Sequence, residues 1–211
     1  MPRDLHSTAI YHITNIANLP AILAEGRLVS DAILATRQGG PAVAIGHNHM
    51  KRRRLQETRI QGAENRFVGE FVPFYFCPRS PMLYSVNLGN TGLPPGSQGE
   101  ILHLVSSVAT GIGLGRQWAI SDANAGTSYP DFYTDVAALD SALDWNAINA
   151  KYWSQCASQK AAEFLVADEF PWTAIQMIGC HTQAVAVRVN AALDYARHKP
   201  IVQVMSDWYY N

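Results

Sequence analysis

An acid inside an apolar run is the most informative chemical feature of this chain: Glu163 stands within Ala161-Ala162-Glu163-Phe164-Leu165-Val166. Such a run reads as a short strand, where an acid must be edge-exposed, paired or functional, because a carboxylate is costly to bury without compensation. A solvent-facing position on an antiparallel strand explains it equally well. A carboxylate held on a rigid strand beside a cleft can also bind a ribose hydroxyl and stabilise a developing sugar cation, which is the charge demand of glycosyl transfer. His12 lies between Tyr11 and Ile13 in a strand-like run, where a hydrogen-bonded core histidine is the plain reading. Arg54 is the last of four consecutive basic residues, and residues 51–66 carry six basic side chains against Glu57 and Glu64. That local excess suits phosphates, and a solvated helix face accounts for it too.

Two other patterns fail on geometry. Gly111-Ile112-Gly113-Leu114-Gly115 resembles a dinucleotide fingerprint, but G-x-G-x-x-G needs a glycine where Arg116 stands, and a strand-like run follows instead of a phosphate-receiving helix. His47 and His49 diverge on a helix and have no nearby cysteine or carboxylate cluster, so no metal site is expected. Cys77, Cys156 and Cys180 are odd in number and far apart, which suits buried thiols better than disulfides or zinc knuckles.

The elements that must position these residues read as one α+β domain over residues 1–211. Of the chain, 48% is hydrophobic and 16% charged, with a net charge of −1, enough apolar material for a single core. No run approaches the roughly 20 apolar residues of a membrane span, and the N-terminus lacks a signal-peptide profile, so a cytoplasmic protein is expected. Residues 7–14 read as a first strand, followed by a helix capped by Asn15 or Asn18 and stopped at Gly26. Residues 35–46 read as a glycine-rich loop leading into a basic helix over 49–56. Residues 71–76 form an aromatic strand closed by Pro78-Arg79-Ser80-Pro81, with Pro81 opening a short helix. Further strands are expected at 101–106, 117–121, 161–166, 174–178 and 201–205. Residues 122–133 read as a long functional loop, Thr134 as the cap of a helix from Asp135, and residues 184–196 as a closing helix.

Taken together, four blocks in this order and spacing closely resemble the DarT family: Tyr11-His12-Ile13-Thr14 with Asn18-Leu19; Phe71 through Tyr84, FVPFYFCPRSPMLY; Ile101 through Ser107; and Lys160 through Val166. The resemblance covers nearly the whole chain. It implies an ADP-ribosyltransferase fold, a split antiparallel or mixed sheet with flanking helices and NAD in the cleft. It also implies a toxin that transfers ADP-ribose from NAD to thymidine in single-stranded DNA, and a DarG-type macrodomain antitoxin that restrains it and removes the mark. By this resemblance Glu163 is the catalytic glutamate, and Arg54 a catalytic arginine that meets both NAD and the target base. His12, Ile13 and Thr14 line the NAD site, with Ile22 and Ser30 completing it. Residues 122 to about 159 hold the DNA strand, Lys160 meets a DNA phosphate, and Tyr129 and Tyr133 stack unpaired bases.

The resemblance casts the arginine as a proton acceptor; a guanidinium is too basic for that role, which favours electrostatic stabilisation of a thymine anion. Two alternatives remain open at the level of sequence. One is a related transferase acting on RNA or protein. The other is a non-catalytic single-strand binding module built on the basic segment.

Overall fold

Alternating β-branched and aromatic residues set up the first strand, β1 (Ala9–Asn15), whose end is closed by Asn15: its side-chain oxygen accepts from the Ala17 N–H at 2.9 Å and turns the chain into a 3-10 segment. The computed structural model describes residues 4–37, 40–126 and 130–211. Helix α1 (Leu19–Glu25) follows and stops at Gly26, which takes the left-handed conformation (φ 68°) that an L side chain disfavours. Next come β2 (Arg27–Val29), α2 (Asp31–Ala35), the basic helix α3 (Asn48–Gln56) and a small hairpin of β3 (Arg59–Ile60) and β4 (Arg66–Phe67). Strand β5 (Phe71–Tyr75) leads to α4 (Pro81–Asn87), where Ser80 accepts from the Leu83 N–H at 3.2 Å and Pro81 occupies the first turn.

The second half runs through β6 (Ile101–Ser107), α5 (Val108–Gly113), β7 (Trp118–Ser121) and β8 (Phe132–Tyr133), then α6 (Ala138–Ser141), α7 (Trp145–Asn149) and α8 (Ala157–Lys160). It ends with β9 (Glu163–Ala167), β10 (Glu169–Pro171), β11 (Met177–Cys180), α9 (Gln183–Leu193) and β12 (Ile201–Val204). Eight strands form one sheet in the order β12-β11-β6-β1-β5-β9-β7-β8. Neighbours are antiparallel except β11 and β12, which the α9 crossover makes parallel.

The sheet is nearly split. β1 pairs with β6 from Ala9↔Ser107 to Asn15↔Ile101, whereas β1 and β5 share the single register pair Tyr11↔Tyr75. Beyond that point the two halves diverge and open a cleft. The second half is held by full ladders, β5 to β9 from Phe71↔Ala167 to Tyr75↔Glu163 and β7 to β9 from Trp118↔Val166 to Ser121↔Glu163. β9 is buried on both faces: Phe164 and Val166 enter the main core with Phe74, Leu104 and Ile178, while Leu165 and Ala167 pack under Ile60, Val68 and Phe71. Each large side chain buried in this way contributes about 1.5–3 kcal/mol. The strand that carries Glu163 is thereby held on both faces and both edges.

Several expected boundaries move. Residues 161 and 162 belong to a turn, with the Ala161 and Ala162 N–H groups bonded to Ser158 and Gln159 carbonyls, so Glu163 is the first strand residue instead of an interior one. Thr134 does not cap the next helix; Asp135 accepts from the Ala137 N–H at 2.9 Å and the helix starts at Ala138. The strand expected at 174–178 starts later, at Met177, after a 3-10 turn over Trp172–Ala174. The glycine-rich stretch after β6 is a helix capped by Ser107, and Gly111 lets it lie on the sheet: a Cβ there would stand 2.5 Å from the Phe164 ring. Of these glycines, Gly111 serves helix-to-sheet packing. Gly111→Ala should therefore destabilise the protein by about 1–3 kcal/mol in chemical denaturation, through displacement of Phe164; an unchanged midpoint would contradict this packing role.

Candidate active site

Glu163 opens β9 directly opposite Tyr75 on β5 and Ser121 on β7, with only 1% of its surface exposed. Arg54 reaches it from the last turn of α3, where the helix dipole favours a cation, and its Nη1 donates to both carboxylate oxygens at 3.1 and 2.8 Å. The Ala125 backbone N–H faces the same carboxylate. Burial pushes the Glu163 carboxyl above its ordinary value, against the opposing pull of the Arg54 guanidinium and the Ala125 N–H. Burial alone would lower the Arg54 pKa; the attached carboxylate outweighs it and holds the guanidinium charged. The other guanidinium nitrogen, Nη2, is buried and has no hydrogen-bond partner among the described residues. A buried, charged donor without an acceptor is costly, and an anionic or carbonyl ligand would satisfy it.

The pair lies on the wall of a solvent-open cleft of about 920 Å³ at the split of the sheet, lined also by His12, Ile13, Thr14, Asp31, Tyr75 and Asn124. A second lobe of about 590 Å³ adjoins it and shares His12, Thr14 and Asn18, continuing past Ile22 and Arg27. The His12 Nδ1 donates to the Pro73 carbonyl at 2.9 Å, which leaves Nε2 as an acceptor. Burial lowers the His12 pKa, opposed by the Pro73 carbonyl and by Asp31, so the ring is neutral and keeps that acceptor at neutral pH.

Asn18 shapes the rim. Its amide donates to Thr14 Oγ1 at 3.1 Å and the Val43 carbonyl at 2.8 Å, and accepts from the Val43 N–H at 2.9 Å, so it holds residues 41–46 over the cleft. Sequence reading offered Asn18 as a helix cap, but it makes no side-chain cap bond; Asn15 does that work.

The structure thus brings Glu163, Arg54, His12, Ile13 and Thr14 together, with Ile22 in the second lobe. Ser30 lines neither lobe: it is buried and caps α2, with its hydroxyl accepting from the Ile33 N–H, which presents Asp31 to the cleft. Lys160 is not placed to meet a phosphate, because its buried ammonium donates inward to the Ile148 and Ala150 carbonyls at 2.7 and 2.9 Å. Tyr133 is half-buried on edge strand β8 against the main core, outside both lobes. Tyr129 lies outside the described residues. Tyr75 and Asp31 line the cleft unforeseen: Tyr75 looks like one more aromatic of a core strand, and Asp31 like an ordinary acid in the first turn of a helix. Among the described residues no group of three or more His, Cys, Asp or Glu side chains could hold a metal ion.

The family model for DarT, described as ssDNA thymidine ADP-ribosyltransferase, matches residues 11–210. The chain belongs to the DarT family. It is 38% identical over 209 residues to the DNA ADP-ribosyl transferase of Thermus sp. (strain 2.9), covering 96% of each chain. The structure of Thermus sp. 2.9 DarT in complex with ADP-ribosylated ssDNA superposes with a TM-score of 0.88 at 36% identity, over 100% of both chains. The same DarT in complex with NAD+ gives 0.84 at 34% identity, again over 100% of both chains. Thermosipho africanus DarTG in complex with ADP-ribose is alike in fold, with a TM-score of 0.71 at 22% identity, and the chain covers 51% of its length.

The rim interaction is directly testable. Asn18→Ala removes one donor and one acceptor for Val43, and should lower stability by about 1–3 kcal/mol while speeding amide exchange over residues 41–46. Unchanged exchange there would show that another contact holds the rim.

Proposed function

We infer that this chain is an NAD-dependent DNA ADP-ribosyltransferase that modifies thymidine in single-stranded DNA and releases nicotinamide. The observation that carries this reading is the buried Glu163–Arg54 pair facing a two-lobed cleft, in a chain that matches the DarT family from residue 11 to residue 210. Family membership supplies the substrate class, and the geometry supplies roles.

NAD brings an activated bond between nicotinamide and ribose, and the sugar gains positive charge as that bond breaks. Glu163 accepts a hydrogen bond from the ribose 2′-hydroxyl, and its fixed negative charge favours that state over the ground state. His12, Ile13, Thr14 and Ile22 form the walls that hold the dinucleotide, with the neutral His12 Nε2 as an acceptor. Ser30 acts through the orientation of α2. Arg54 stays cationic beside Glu163, so it stabilises the anion formed when a thymine ring nitrogen gives its proton to solvent in the open cleft, before that nitrogen bonds to the ribose carbon that nicotinamide leaves, and Nη2 is its available donor. Duplex pairing hides that N–H, which accounts for a single-stranded substrate.

Residues 122–159 hold the strand. Lys160 supports them from behind through the Ile148 and Ala150 carbonyls, and Tyr129 and Tyr133 supply aromatic surface for unpaired bases. In its bacterial setting the enzyme acts in the cytoplasm as a toxin restrained by a DarG-type macrodomain antitoxin.

Mass spectrometry of a mixed-sequence oligonucleotide after incubation with NAD tests the reaction: ADP-ribose should appear on thymidine in single-stranded DNA. Glu163→Gln, which keeps hydrogen-bonding atoms but removes the charge, should lower the rate by about 10²–10³-fold or more while NAD still binds. Wild-type rates in Glu163→Gln would remove the carboxylate from the mechanism. Labelling of RNA or protein in place of DNA would overturn the substrate assignment, and salt-sensitive DNA binding without nicotinamide release would indicate a non-catalytic module.

A further inference from the structure

The segment that begins the DNA-holding region also lies beside the catalytic carboxylate, because Ser121, from which it departs, is the register partner of Glu163. Ser121, the last residue of β7 and fully buried, donates through its hydroxyl to the Ala123 carbonyl at 2.7 Å and folds the chain back on itself. Asn124 lines the cleft, and its Oδ1 accepts from the Gly126 N–H at 2.8 Å, closing a tight side-chain turn around Ala125. Ala125 is fully buried, and its N–H faces the Glu163 carboxylate, whose charge it favours. Gly126 is wedged against α3: a Cβ there would stand 2.9 Å from Met50 Cε, 3.2 Å from Asn124 Oδ1 and 3.3 Å from Arg54 Cγ. A larger residue would press on the turn and on the arginine together.

We propose that the 121–126 turn is a positioning device for the catalytic carboxylate, in which Asn124 and Gly126 aim the Ala125 N–H at Glu163 and so tie the DNA-holding segment to the reacting centre. The proposal rests on the reading of Glu163 as the catalytic residue. Asn124 and Gly126 are positioning residues, acting through the Ala125 amide. Among the described residues the groups that face Glu163 are Arg54 from α3, Asp31 from α2, Tyr75 from β5 and the Ala125 N–H; the turn carries the last, and through Gly126 it also packs against the Arg54 stem. An N–H directed at a carboxylate stabilises its charged form, so its loss raises the carboxyl pKa and moves the acid limb of the pH–rate profile to higher pH.

The test is steady-state kinetics on single-stranded DNA across pH for Asn124→Ala, Asn124→Ser and Gly126→Ala, beside Glu163→Ala, with the melting temperature of each variant recorded. Asn124→Ala should lower kcat roughly ten- to a hundredfold, the range of a hydrogen bond to a charged group, with the KM for NAD within about twofold. Its acid limb should move up by about one pH unit, by the linkage between that bond and the protonation equilibrium. Asn124→Ser, whose neutral hydroxyl can accept from the same N–H, should recover most of the rate. Gly126→Ala removes no side chain from the cleft and should repeat the fall in kcat and the shift of the limb. An unmoved acid limb in both Asn124→Ala and Gly126→Ala, with Glu163→Ala inactive, overturns this proposal alone. Full activity in Glu163→Ala overturns the reading beneath it.

Discussion

The site is organised around one buried ion pair. Arg54 and Glu163 come from elements 109 residues apart in sequence and meet where water is nearly absent. Isolated, either charge would be expensive in that environment; together they are tolerable only while the geometry is held and the remaining polar atoms are satisfied. Arg54 Nη2 is the exception, a donor with no acceptor among the described residues at the wall of the cleft. An unfilled donor of this kind, fixed beside a carboxylate, offers a ligand a preformed electrostatic environment with little reorganisation on binding.

The fold exists to hold that pair still. A sheet that splits after the Tyr11↔Tyr75 pair opens a cleft, and β9, buried on both faces and laddered on both edges, anchors the acid in its wall. Helix α3 has no comparable anchor in the sheet. Its Arg54 is kept in place by the ion pair itself, by the hairpin below it and by Gly126 packed against its stem. Carboxylate and guanidinium therefore sit on different mounts, the carboxylate on the strand paired along both edges.

Much of the fold was legible in the sequence because the strands follow simple rules. Runs of β-branched, apolar and aromatic residues marked β1, β5 and β6 to within a residue or two, and Ser80-Pro81 and Gly26 marked helix ends by their local chemistry. Short elements were not readable: β2, β3, β4 and β10 have two or three residues each, too few for any periodicity, and exist only because tertiary pairing holds them. In the site, Glu163 stood out because an acid in an apolar run demands a reason. Arg54 did not stand out from its three basic neighbours; burial distinguishes it, and burial depends on a strand 109 residues away. The same blindness misplaced Lys160, whose charge suggested phosphate while its surroundings offer carbonyls. Tyr75 and Asp31 needed the cross-strand register and the cleft before they could be recognised.

One structure would test the central claim most directly: the protein crystallised with a non-hydrolysable NAD analogue that retains the ribose 2′-hydroxyl. The expected result is that hydroxyl within hydrogen-bond distance of a Glu163 carboxylate oxygen, with Arg54 Nη2 bonded to an oxygen of the analogue or of a bound nucleobase. A dinucleotide seated elsewhere, or one in the cleft with its nicotinamide ribose turned away from Glu163, would contradict it.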